Sequence, residues 1–159
     1  MTKHFTSAKK LRLCIYGLFA IFYFWLAAQV PYTHDDWDWG LDVGLHQFLH
    51  AAINSRYVGN FMVVIMTRSE ILKTLIIGGS YFLIPYLLSR IAADFTVNKT
   101  ESTEAAYYLI ANLLLLAMDR GVWRQTYGWV AGFANYAVSA LFMMPWIREL
   151  LNTVHPLAQ

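Results

Sequence analysis

Little in this chain speaks for a soluble enzyme. One cysteine, Cys14, is present in 159 residues, so no disulfide can form within the chain. The place of Cys14 inside an apolar run also argues against a cysteine metal site. Charged residues make up 14% of the sequence, against about a quarter in soluble domains. The formal charge is only +2, and no basic cluster has the footprint that nucleic acid requires. Gly-rich phosphate loops, zinc-ribbon spacings and internal repeats are missing. Four prolines are scattered along the chain rather than gathered into a linker.

Apolar residues are what the chain has in abundance. They reach 58%, with 16% aromatic, and fall into blocks divided by short polar stretches. A helix crossing lipid needs roughly 20 apolar residues. "LRLCIYGLFAIFYFWLAAQV", residues 11–30, meets that length. Lys3, Lys9, Lys10 and Arg12 lie before or at its start, which predicts a cytoplasmic N-terminus. A cleaved signal peptide is the rival reading, because "LAAQ" resembles a small-residue cleavage site. The bulky "FYFW" before it and the length of the run favour an anchor. Further spans are expected over 71–90, 105–118 and 129–147, with Pro85 kinking the second. A cytoplasmic loop at 91–104, an outer loop at 119–128 and a cytoplasmic tail at 148–159 join or follow them. The expected fold is all-α: a polytopic helical membrane protein with about four transmembrane helices. One or two juxtamembrane amphipathic helices add to it in an outer loop over 31–70.

That outer loop holds the densest acidic cluster in the chain. "YTHDDWDWGLDVGLHQFLHAAINSRYVGN" begins at Tyr32 and places Asp35, Asp36, Asp38 and Asp42 within eight positions. From Trp39 to Asn54 the spacing predicts one amphipathic helix, with Leu41, Leu45, Phe48, Leu49 and Ala52 on its apolar face. Asp38, Asp42, His46, His50 and Asn54 recur every four residues on the other face. Asp42, His46 and His50 thus have the spacing of ligands for a divalent metal. The plainer reading is the polar side of an interfacial helix. A second short helix, interfacial or re-entrant, is expected over 56–67.

The cations divide unevenly. Under this topology seven of the twelve Lys and Arg are cytoplasmic, while Arg56, Arg68, Lys73, Arg120 and Arg124 are outside, against the positive-inside rule. One reason to keep cations there is phosphate, and Arg56 in "SRYVGN" is the best candidate, since a guanidinium grips two phosphate oxygens. Arg68, Lys73, Arg120 and Arg124 are weaker candidates. Snorkelling, or pairing with anionic lipid headgroups, is the plainer reading for each. Asn98-Lys99-Thr100 matches a glycosylation acceptor but falls in a cytoplasmic loop, which predicts a chance match.

"HDDWDWG", "NSRYVGN" and "WVAGFANY", in that order among these spans, resemble the N-terminal part of GT-C membrane glycosyltransferases. More narrowly, they are similar to bacterial polytopic proteins related to O-antigen glucosyltransferases. The resemblance implies transfer of a sugar from a polyprenyl-phosphate donor to a glycan acceptor of the cell envelope, at the outer face of the bacterial cytoplasmic membrane. It also implies a catalytic aspartate within the pair Asp35 and Asp36, with Asp35 slightly favoured. Helix capping is the other reading of that pair. Trp37 and Trp39 are candidates to stack on sugar rings, or belong to the interfacial aromatic belt with Trp123 and Trp129. The family does not decide a metal requirement. Its members have eight or more spans, so this chain looks truncated, and a second membrane chain supplying further helices is an implied partner. A non-enzymatic remnant or accessory subunit is the alternative. Close-packing glycines, Gly78 and Gly79 next to Ser80, and Gly128 with Gly132, suit helix association in lipid.

Overall fold

The computed structural model describes residues 7–50, 56–96 and 100–154. Among them there are eight helices and no strand: α1 (Ser7–Ala28), α2 (Asp36–Gly40), α3 (Asp42–Leu49), α4 (Tyr57–Met66), α5 (Glu70–Asp94), α6 (Glu101–Leu116), α7 (Arg120–Thr126) and α8 (Val130–Val154). The N-terminal lysine Lys3, Asn54 of the expected polar stripe, and Asn98 and Lys99 of the acceptor pattern lie outside the described residues.

Three helices, α1, α5 and α8, are long and apolar enough to cross a membrane. A fourth span is possible only if α6 and α7 count as one crossing bent by 96°. Alone, α6 rises roughly 24 Å over its sixteen residues, short of the ~30 Å hydrocarbon core. Their outward surface is apolar: Ile21 is 72% exposed, Leu114 70% and Trp146 79%. A surface of that kind is compatible with a multi-pass membrane protein.

At the centre stands α5, packed against α1, α6, α8 and α4. Its Gly78 admits α1: a Cβ there would lie 2.6 Å from the Phe24 ring and 3.1 Å from the Phe24 Cα. Gly79 faces open space, so only one of the expected pair serves packing. Pro85 sits inside α5, buried, without ending the helix.

The two ends of the bundle are held by different chemistry. At one end the start of α1, the end of α5, the start of α6 and the far part of α8 meet through ion pairs. Arg12 pairs with Glu101 at 2.9 Å and also with Glu104. Glu104 takes Arg90 as well at 2.7 Å, and Arg148 pairs with Asp94 at 2.6 Å. Between the ends, the Tyr23 hydroxyl donates to the Asn112 carbonyl oxygen inside the bundle. The opposite end, where α1 stops and α2, α3, α4 and α7 gather, uses side chains on backbone carbonyls. Lys73 Nζ donates to Val30 O at 2.8 Å, Tyr32 to Met66 O at 2.9 Å, and Tyr81 to Tyr127 O at 2.5 Å.

Three expected boundaries change. The single helix over 39–54 is instead two helices broken at Leu41, whose extended backbone (φ −90°, ψ 172°) interrupts the helical turn. The loop at 119–128 contains α7, started by Asp119, whose carboxylate accepts from the Gly121 and Val122 amides. The expected tail at 148–159 is helical as far as Val154.

Candidate functional site

The acidic motif folds at the carbonyl-tethered end, on the turn between α1 and α2. His34 there has φ 53°, a left-handed backbone that ordinary residues adopt at a cost of roughly 1 kcal/mol. This turn sends the two adjacent aspartates into opposite surroundings. Asp35 is exposed, while Asp36 is 1% exposed. The Asp36 carboxylate accepts from Thr33 N at 2.9 Å with one oxygen and from Ala131 N at 2.9 Å with the other. It therefore closes its own turn and caps the start of α8, where amide donors have no helical partner.

Burial pushes the Asp36 carboxyl above the usual range for aspartate. The amide hydrogen bonds from Thr33 and Ala131 pull it back, and the Asp35 charge adds a smaller upward push. Desolvation is the largest of these, so it decides the direction.

The expected phosphate ligands part company. Arg68 is occupied by backbone: Nη1 donates to Trp39 O at 2.6 Å and Val64 O at 3.1 Å, and Nη2 to Leu41 O at 2.7 Å. It clamps the break between α2 and α3 to α4. Lys73 is 2% exposed, donates to Val30 O, pairs with Glu70 at 2.7 Å, and lies 4.4 Å from the Tyr32 ring centroid. Both cations hold carbonyls at this end of the bundle, which accounts for their presence without phosphate. Arg56 instead lines an open hollow of about 290 Å³ with Tyr57, Asn135, Tyr136 and Ser139.

The histidine stripe does not form a ligand set. His46 and His50 stack face to face, with ring centroids 3.9 Å apart. His50 Nδ1 donates to His46 O at 2.9 Å. Metal ligands aim ring nitrogens at one point in their own planes, which stacked rings do not do. Among the described residues, no three His, Cys, Asp or Glu side chains converge as a metal site would need. Asp42 starts α3 and is exposed.

Of the two tryptophans of the motif, Trp37 is 62% exposed and meets the Tyr32 ring edge-on at 5.8 Å. Trp39 is half-buried and packs on the core. Neither lines the Arg56 hollow or the larger cavity beside it. The larger cavity, about 700 Å³, opens between the 31–34 turn, α7 and the first turns of α8. His34, Trp123, Arg124, Gln125, Trp129 and Tyr136 line it. Tyr136 also borders the Arg56 hollow, so the two spaces flank one side chain. His34 and Trp129 meet at 5.9 Å, edge to face.

Trp129, just before α8, and Tyr136 within it stand seven residues apart, about two helical turns. That spacing is visible in the sequence, but it reads there as ordinary span periodicity. His34 carries no sequence signal beyond standing before an acidic pair. No protein-family model, curated protein or solved structure matches the chain.

Proposed function

We propose that this chain is a membrane glycosyltransferase of the GT-C kind, or the N-terminal part of one. It would act at the outer face of a bacterial cytoplasmic membrane, with its N-terminus in the cytoplasm. In this reading a sugar passes from a polyprenyl-phosphate donor to a hydroxyl of an envelope glycan. One observation supports it above the rest. Asp35 is an exposed carboxylate on a strained turn held by its buried neighbour, and it follows His34, which lines a cavity together with aromatics and an arginine.

The chemistry asks for a base and a place for the leaving phosphate. Asp35 takes the proton of the acceptor hydroxyl as that oxygen bonds to the anomeric carbon. The bond from that carbon to the phosphate oxygen breaks, and the phosphate leaves with the electron pair. Attack from the opposite face inverts the configuration. A carboxylate placed within hydrogen-bond reach suits the first step. Asp36, spent on two backbone amides, positions Asp35 rather than acting as the base.

The test is transfer by the full chain in proteoliposomes carrying a prenyl-phosphate sugar and an acceptor glycan. Asp35→Asn is expected to lower the rate by at least 100-fold, the lower end of general-base contributions of about 10²–10⁴, with insertion unchanged. Wild-type rates in that variant refute the assignment.

A second reading, an accessory subunit without catalysis, is favoured by one fact: the more buried aspartate of the pair does purely structural work. It predicts co-purification with a polytopic partner and no transfer by the chain alone.

A further inference from the structure

We propose that the cavity between the 31–34 turn, α7 and the start of α8 seats the phosphate-linked headgroup of a prenyl-chain glycolipid, with Arg124 as the phosphate ligand. This rests on the donor reading above for the identity of the lipid. The case for an anionic, sugar-bearing headgroup rests on the cavity itself.

The space is about 700 Å³, within the ~300–1,000 Å³ common to small-molecule sites. Its lining includes Arg124 and His34 and no carboxylate. A cation without a counter-charge in the cavity wall selects an anion, and a guanidinium fits phosphate oxygens in pairs. Trp123, Trp129 and Tyr136 also line it. Flat apolar rings with polar edges suit a sugar, whose C–H face is apolar and whose rim is hydroxyl. The Trp129 indole Nε1 is buried and has no hydrogen-bond partner. A buried donor left unpaired is costly, so a ligand acceptor that reached this nitrogen would recover the loss. His34, in its left-handed conformation, forms part of the same wall. Strain of this kind concentrates at ligand clamps.

Location selects the lipid over a free sugar phosphate. The cavity borders Pro31, just past the apolar α1, and the beginning of α8, another apolar helix. A headgroup held there leaves its hydrocarbon tail at bilayer depth. Asp35 follows His34 directly, so the base of the proposed reaction adjoins the cavity wall. Arg68 and Lys73, engaged with backbone, leave this role to Arg124.

The experiment uses the full chain in phosphatidylcholine nanodiscs, with tryptophan fluorescence as readout. The probes are a short prenyl phosphoglucose, the matching prenyl phosphate, the phosphate-free prenyl glucoside, and inorganic phosphate. Saturable binding of the phosphoglucose is expected, at least tenfold tighter than the glucoside and far tighter than inorganic phosphate. Arg124→Gln should weaken it tenfold or more, whereas Arg56→Gln should change it less than threefold. Trp129→Phe keeps an aromatic ring and removes the N–H. It should narrow the preference for phosphoglucose over prenyl phosphate. Unchanged affinity in Arg124→Gln, a larger loss in Arg56→Gln, or equal binding of the glucoside overturns the proposal. Tight competition by inorganic phosphate overturns the lipid. Loss of binding in Arg124→Gln, together with full transfer by Asp35→Asn, upholds the cavity and rejects the base.

Discussion

Asp35 and Asp36 differ by one position and by almost everything that sets carboxylate behaviour. Exposure leaves Asp35 to water, while burial gives Asp36 two amide donors and a raised pKa. The sign of the pH effect follows from that shift. A carboxyl whose folded pKa lies above its unfolded value contributes stability that is full below the unfolded pKa. The contribution is lost as pH rises through the folded one. Thermal melts in detergent should therefore show wild type losing stability, relative to Asp36→Asn, as pH climbs above the ordinary aspartate range. At neutral pH the asparagine variant should still be destabilised by about 1–3 kcal/mol. Its NH₂ replaces one acceptor facing a backbone amide and leaves that donor unpaired. A difference between the two proteins that does not vary with pH contradicts the raised pKa.

Helix packing gives a sharper test, because two adjacent glycines of α5 face different surroundings. At Gly78 a methyl group meets Phe24 backbone and ring inside 3.2 Å, while at Gly79 it meets nothing within 4 Å. Gly78→Ala should force α1 and α5 apart and cost about 1–3 kcal/mol, the usual range for overpacking. Gly79→Ala should be neutral or slightly stabilising, since alanine is the better helix former. Melting temperatures of the two variants in one detergent check this. Equal losses would mean that α1 does not sit against Gly78. The sequence marks both glycines as packing residues and cannot say which, because one-residue steps on a helix turn the side chain by about 100°. The same limit applies to the polar stripe over 38–50. Its four-residue spacing is real, yet the break at Leu41 removes the single helix that spacing assumes.

Across the described residues the two ends carry different kinds of fastening, ion pairs between helices at one and carbonyl clamps at the other. Sidedness is testable through that difference. In a Cys14→Ala background, Ser102→Cys marks the ion-paired end and Val122→Cys the end that bears the acidic motif; both positions are exposed. An impermeant maleimide applied to intact cells should label Val122→Cys and leave Ser102→Cys unlabelled until the cells are opened. The reverse pattern would put the acidic motif in the cytosol and exclude an extracytoplasmic donor.

Composition and apolar run length by themselves determined an all-helical chain with apolar spans and a polar cluster after the first of them. Burying or lipid-facing apolar runs need nothing more than length and hydropathy to be recognised. Tertiary structure alone decided which charges are free to act. Arg68 and Lys73 look identical to Arg124 as surplus cations, but beside local partners they hold backbone carbonyls of residues 27 to 43 positions away. Asp36 likewise finds Ala131, 95 residues on. Such pairings depend on chain elements brought together in space, and local spacing holds no record of them.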